Sequence, residues 1–168
     1  MTVFDVREKR REWKETITPE MAEHLVFLDE SGVNTPRTTT VLSSIRLDGE
    51  KAFTTYQGGT TGERFVQYLK ETLLPTLRPG DIVVMDNMPS HHVKAVREIL
   101  EAKGMKVLYL PPYSPDLNPI EKMWSKMKAI LRCWKIRSLD LLPDAIQKAL
   151  SCVSPLDCSH WFAVSDYC

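Results

Sequence analysis

Two uninterrupted apolar runs, each followed at once by an aspartate, constrain this chain more than any other feature. Leu25-Val26-Phe27-Leu28 leads into Asp29, and Ile82-Val83-Val84-Met85 leads into Asp86. Short apolar runs without alternation read as strands buried on both faces, as in the interior of an α/β sheet. A carboxylate placed straight after such a strand is costly unless a positive group meets it, and a divalent cation is a common partner. If the two strands pair in parallel, both acids emerge at the carboxyl edge of the sheet, where open α/β folds place their sites. Neighbouring strands lie about 4.8 Å apart, so the two carboxylates fall within reach of one ion.

The segments around these runs predict the architecture. Residues 38–47 and 51–56 read as strands joined by Asp48-Gly49, a strong hairpin signal. Thr60-Thr61-Gly62-Glu63 fits a capping box that opens a helix carrying Phe65, Leu69 and Leu73 and ending before Pro75. A second helix spans 90–103, with Val93, Val96, Ile99 and Leu100 at helical spacing and Gly104 as its stop. A strand follows at 106–110, then a rigid loop at 111–119 with four prolines. The helix from Pro119 is expected to bury Ile120, Met123, Trp124, Met127, Ile130, Leu131 and Trp134, and a last helix covers 142–152. This order predicts an α/β fold: a mixed sheet of antiparallel hairpin strands plus parallel strands, with helices on both faces. Residues 1–20 read as a charged helical linker, and 21–168 as one domain large enough to bury a core.

A third acid, Glu121, opens the helix after the proline-rich loop. With Asn118 as N-cap and Pro119 at the first helical position, Glu121 falls where a glutamate caps its own helix. Four prolines fixing the start of that helix point instead to a carboxylate whose placement matters. Asp29 and Asp86 carry a similar ambiguity, since DESG and DNMPSHH also suit turns. Taken together, three acids from two strands and a helix start fit two-metal phosphoryl chemistry, in which a pair of ions activates the attacking oxygen and stabilises the leaving one. Hard oxygen ligands favour Mg²⁺ or Mn²⁺.

Positive charge is local. Lysine plus arginine number 22 against 22 aspartate plus glutamate, which argues against a free-standing DNA-binding protein but not against a catalytic domain. Lys122, Lys126, Lys128, Arg132, Lys135 and Arg137 follow Glu121 with no acid until Asp140. They read either as a track for DNA phosphates or as a solvated helix face. His91 and His92 either touch substrate phosphate or cap the turn after Asp86, and Trp124, Trp134 and Trp161 are assigned to the core. The four cysteines contain no CxxC pair and are read as reduced thiols rather than zinc ligands. Without a membrane-length apolar run or a signal peptide, the chain is expected in the cytoplasm, with no membrane partner.

FLDESG, PGDIVVMDNMPSHH and LYLPPYSPDLNPIEKMWSKMKAILR together resemble the catalytic signatures of mariner-type DDE transposases, in the branch found in bacterial insertion sequences. The 34 residues between Asp86 and Glu121 match the spacing known for that branch. The resemblance implies an RNase H-like fold with Asp29, Asp86 and Glu121 holding two Mg²⁺ or Mn²⁺ ions. It implies cleavage at transposon ends and attack of the freed 3′-OH on target DNA, typically at TA. Asn87, His91 and Asn118 match supporting positions near the acids. The expected partners are DNA, a second copy of the chain and a separately encoded helix-turn-helix protein, because no segment here reads as a helix-turn-helix module. The segment after Asp29 is also shorter than is usual in the family. Two other readings compete: a non-catalytic regulatory remnant of a transposase, and a receiver domain phosphorylated on Asp86.

Overall fold

A computed structural model of the chain describes residues 1–34, 37–86 and 90–168, apart from the side chains of residues 90–93. Its centre is a five-stranded sheet in the order β3-β2-β1-β4-β5. The strands are β1 (Leu25–Asn34), β2 (Thr38–Ile45), β3 (Phe53–Gln57), β4 (Ile82–Met85) and β5 (Lys106–Tyr109). β1 runs antiparallel to β2 and parallel to β4, β2 and β3 are antiparallel, and β4 and β5 are parallel. The mixed sheet expected from the sequence is therefore present. A receiver domain, which alternates strand and helix around a parallel sheet, is excluded by the two antiparallel pairs.

Six α-helices surround the sheet among the described residues: α1 (Val3–Thr16), α2 (Gly62–Tyr68), α3 (Ser90–Ala102), α4 (Ile120–Cys133), α5 (Leu142–Ser151) and α6 (Pro155–Val164). Side chains alternate across a strand, and this parity divides the molecule into two cores. Leu25 and Phe27 of β1 join Ile82 and Val84 of β4 in a core shared with α1, α4, α5 and α6. Val26, Leu28, Val83 and Met85 point the other way, into a core with Phe65 and Tyr68 of α2 and Val96 and Leu100 of α3. Burial on both faces explains why these strands read as continuous apolar runs. Among the described residues, no helix is long and apolar enough to cross a membrane.

Several boundaries differ from the sequence reading. β1 does not stop at Asp29 but continues to Asn34, because β2 pairs with it well beyond the point where β4 ends. The cap of α2 is Thr61, whose side chain accepts from the Arg64 N–H, one position later than the capping box predicts. α6 was not anticipated, although Ser154 and Asp157 form a reciprocal capping box with Pro155 between them. At the β2–β3 turn, Gly49 has φ +94°, and an added Cβ would lie 3.0 Å from the Pro155 backbone. The hairpin tip and the start of α6 thus approach so closely that a side chain at position 49 would push on Pro155 by a few tenths of an ångström, in a backbone conformation that favours glycine.

The chain ends close on each other across the start of α4. Trp13 of α1 is buried in the core, and its Nε1 donates to the Tyr167 hydroxyl at 3.0 Å. Tyr167 donates in turn to the Leu117 carbonyl, just ahead of α4. Arg10 grips Asp116 through two hydrogen bonds of 2.9 and 2.6 Å, and Lys14 reaches Asp166 at 3.1 Å. Phe27 of β1 packs edge-on against Phe162 at 5.4 Å between ring centroids. α1 is therefore anchored on the body of the fold, and the turn before α4 is held from both sides. On the opposite end of the sheet, buried Arg46 and Asp81 form an ion pair that ties the hairpin loop to the start of β4.

Trp13→Ala removes a buried indole and its hydrogen bond, and a loss of roughly 3–5 kcal/mol in urea unfolding is expected. Tyr167→Phe, which keeps the ring but strands the Leu117 carbonyl and the Trp13 N–H, is expected to cost about 1–3 kcal/mol. Equal, near-zero losses in both variants would show that the two ends do not brace the fold.

Candidate active site

The parallel register of β1 and β4 determines how the two aspartates meet. Phe27 is level with Val84, so two further steps bring Asp29 level with Asp86. Asp29 lies on the same face of β1 as Leu25 and Phe27, and Asp86 continues the face of Ile82 and Val84. Both carboxylates therefore rise on the side of the sheet covered by α4. Asp29 is half-buried within β1, opposite Ser43 of β2, while Asp86 is exposed just beyond the end of β4.

Glu121 reaches this side from the first turn of α4. Its capping role is not observed. The Asn118 side-chain oxygen accepts from the Ile120 N–H at 3.3 Å, and the helix starts without a capping box. Among the described residues the Glu121 carboxylate has no hydrogen-bond or ion-pair partner. It stands exposed, two positions ahead of the buried Met123 and three ahead of the buried Trp124. Asn118 is buried and spent on the helix start.

Electrostatics tie the three acids together. The Asp29 pKa is pushed up to about 8, first by burial, then by the charge of Asp86, with Glu121 adding to the same effect. The Glu30 backbone N–H and the indole of Trp124 act the other way. Trp124 Nε1 lies 3.4 Å from the Asp29 carboxylate, a long hydrogen bond from the same helix that carries Glu121. Burial also raises the pKa of Asp86. These are the marks of like charges gathered in a poorly solvated place. Among the described residues no three Asp, Glu, His or Cys side chains close around a single point, so the acids are neighbours rather than a tight cage. The donor set suits a hard divalent cation, since every candidate ligand is a carboxylate and the mutual repulsion at Asp29 is what a cation relieves.

Glu30 is a further acid that the sequence reading did not place in this set. It lies on the other face of β1, where the Thr60 hydroxyl donates to it and the Tyr56 and Thr60 hydroxyls bond each other. Desolvation and then the charge of Asp86 raise its pKa. Its position directly after Asp29 in the run DES was the available signal.

The other residues singled out from the sequence fare unevenly. Asn87 lies outside the described residues, as does the side chain of His91. Lys126 is engaged with Asp157 at 2.5 Å, pinning α4 to α6, and is not part of a free basic face. Lys122 and Arg132 are exposed and Lys128 is partly so. Lys128 and Arg132 line a cavity of about 420 Å³ with Lys135 and Arg137. Trp124 is buried as expected, but Trp134, assigned to the core, is 43% exposed because α4 ends at Cys133 and the chain turns away there.

Comparison with known proteins agrees with this arrangement. The Tcb2 transposase of Caenorhabditis briggsae is 33% identical over 76 residues, covering 42% of this chain and 28% of that protein. The chain thus spans less than a third of the length of that relative. Among solved structures, the Mos1 transposase catalytic domain with raltegravir and Mn superposes with a TM-score of 0.75 at 17% identity, covering 97% of this chain and 90% of that one. The Mos1 paired-end complex with the left transposon end gives a TM-score of 0.76 at 16% identity, over 97% of this chain and 60% of that one. These likenesses establish the RNase H-like fold of the Mos1 catalytic domain. The model of the DDE superfamily endonuclease family matches residues 34–142, a span that contains Asp86, Glu121 and the turn that presents them. With that match over most of its length, the chain belongs to the DDE superfamily of endonucleases, and its fold is that of a mariner-type transposase catalytic domain.

Proposed function

We propose that this chain is the catalytic domain of a transposase that cleaves DNA at the ends of its own element and transfers the freed 3′-OH to target DNA, typically at TA. The observation that carries the reading is the convergence of three acids from separate parts of the chain: Asp29 stands level with Asp86 across β1 and β4, is bonded by Trp124 of the helix that bears Glu121, and feels the charge of both other acids. Asp29, Asp86 and Glu121 would hold two Mg²⁺ or Mn²⁺ ions. When bound, these ions supply an activated oxygen nucleophile and offset charge on the leaving oxygen. The Mos1 domain, solved with Mn, supports the choice of metal class.

The chain's own residues prepare this site in three ways. The paired strands fix Asp29 beside Asp86. Trp124 holds one oxygen of Asp29 from the helix that carries Glu121. The Tyr167 and Arg10 contacts hold the turn at 115–117, and Asn118 bonds the first turn of the helix, so that the helix start carrying Glu121 is fixed in place. The unbroken SPDLNPIE run and the 34-residue interval support placement in the bacterial insertion-sequence branch. Element ends, target DNA, a second copy of the chain and a separately encoded helix-turn-helix protein complete the proposed assembly. A non-catalytic remnant is the less favoured reading, because no catalytic acid is lost and Glu121 is left uncapped.

Purified protein, with an end-recognition partner supplied, is expected to nick duplex DNA carrying the element's ends when Mg²⁺ or Mn²⁺ is added. Asp86→Asn and Glu121→Gln are each expected to reduce nicking to the level seen with EDTA. Intact substrate with the unaltered protein, or undiminished nicking by either variant, would contradict the proposal.

A pH dependence follows from Asp29. Its pKa is higher in the folded protein than the ordinary carboxylate value of 3.8, so the metal-free folded state binds the extra proton between those limits. The unfolded state binds fewer protons there, and the stability contribution is lost as pH rises from about 4 to about 8. In EDTA, the melting temperature is expected to fall across this range, and Asp29→Asn is expected to flatten the fall. A profile identical in both proteins would remove Asp29 as its source.

A further inference from the structure

The two margins of the sheet are finished differently. β5, at one margin, begins with Lys106 and runs on into Pro111 and Pro112. Lys9, Glu12, Trp13 and Thr16 of α1 stand across a cavity of about 310 Å³ from its residues 108–112. Charge, proline and a flanking element are devices that keep an edge strand from pairing with another chain. β3, at the other margin, has neither charge nor proline along Phe53-Thr54-Thr55-Tyr56-Gln57. The nearest cation before it, Lys51, is turned onto the carbonyls of Gly49 and Val153.

Hydrogen-bond alternation decides which backbone groups that margin offers. The Ser44 N–H donates to the Ala52 carbonyl at 3.1 Å, and the Gly58 N–H to the Thr38 carbonyl at 2.9 Å. Both pairs keep the register that sets Thr54 opposite Leu42 and Tyr56 opposite Thr40. Alternate residues face the partner strand in an antiparallel ladder, so Thr54 and Tyr56 direct their N–H and C=O groups to β2. Phe53, Thr55 and Gln57 direct theirs outward, where the sheet has no further strand among the described residues. The Gln57 carbonyl accepts from Arg64 at 2.6 Å, which closes one end of this edge.

We infer that β3 pairs antiparallel with β3 of a second copy, centred on Thr55, so that two five-stranded sheets join into one. That register alone aligns the whole strand: Phe53 with Gln57, Thr54 with Tyr56 and Thr55 with its own counterpart. It also sets outward-facing backbone groups against outward-facing ones. The cross-strand neighbours include a threonine pair and two tyrosine–threonine pairs, combinations that stabilise antiparallel strands. An uncharged strand meets its own copy without repulsion. The interface is small and belongs to the class that associates weakly.

β3 runs parallel to β1, because two antiparallel steps separate them. A two-fold partner reverses that direction, so the acid-bearing edges point to opposite ends of the joined sheet. The two β1 strands then lie about 24 Å apart. Such a pair does not turn both sites toward one target. It is a DNA-free resting dimer, distinct from the second copy in the proposed catalytic assembly.

Analytical ultracentrifugation of the full chain without DNA, over a wide range of protein concentration, is expected to show a monomer–dimer equilibrium. Thr55→Pro removes an outward N–H that β2 does not use, and with it two symmetric hydrogen bonds. Association is expected to weaken about tenfold or more. Thr55→Lys keeps the backbone and sets like charges opposite each other on the two-fold axis, so it is expected to weaken the dimer as well. It carries the test if circular dichroism shows that the proline variant does not fold. Gln147→Lys adds the same charge on the exposed side of α5 and is expected to leave association unchanged. In hydrogen exchange, the Thr55 and Gln57 amides are expected to gain protection as concentration rises.

A monomer at every concentration would overturn the self-pairing, as would a dimer that Thr55→Lys leaves intact. Edge amides protected only when a different chain is added would give β3 to another partner, with the same consequence. Nicking by a protein that never dimerises through β3 would remove the pairing and leave the transposase reading standing. A β3 dimer without any nicking would support the pairing and count against catalysis.

Discussion

Like charge crowded at the carboxyl edge of the sheet is the constraint around which this protein is organised. Asp29 is half-buried, faces the charges of Asp86 and Glu121, and has its pKa raised to about 8. Nothing local requires that crowding. It arises because parallel pairing of β1 with β4 sets two aspartates level, and α4 crosses the same face with a glutamate in its first turn. The two apolar cores supply the stability against which this unfavourable arrangement is held. Repulsion of this kind is what a hard divalent cation relieves.

The least expected part of the arrangement is how remote its supports are. The start of α4 is fixed by Arg10 and Trp13 near one end of the chain and Tyr167 near the other, through Asp116 and Leu117. Phe27, two residues before Asp29, packs on Phe162 and Tyr167 of the same C-terminal segment. Residues distant in sequence thus brace both the strand and the helix that carry the acids. A change at either end is transmitted to the site through packed side chains and backbone carbonyls rather than through the acids themselves.

Much of this was legible in the residues. The strand runs and their aspartates announced the parallel pair, because a strand buried on both faces cannot alternate. The Asp48-Gly49 turn announced the antiparallel hairpin, and the DDE signatures pointed to the RNase H-like sheet. Other features were hidden by their dependence on tertiary contacts. Whether Glu121 caps its helix is decided by Asn118 and the turn before it, and periodicity alone could not choose. Trp13 looked like one apolar residue in a charged helix until Tyr167 and the core gave it a partner. Trp134 continued the buried stripe of α4 by spacing, but the helix ends one residue earlier and leaves it exposed. Lys126 shared a basic run with its neighbours, and only the unforeseen α6 supplied Asp157 to claim it.

One helix, α4, carries an acidic start beside the strand aspartates and a basic far half beside the end of β1. The account depends most on the acids acting as joint ligands. Anomalous diffraction from crystals soaked in Mn²⁺ tests this directly. It predicts manganese density bounded by carboxylate oxygens of Asp29, Asp86 and Glu121 together. Density held elsewhere on the surface, or bound between the two aspartates with Glu121 turned out to solvent, would contradict it.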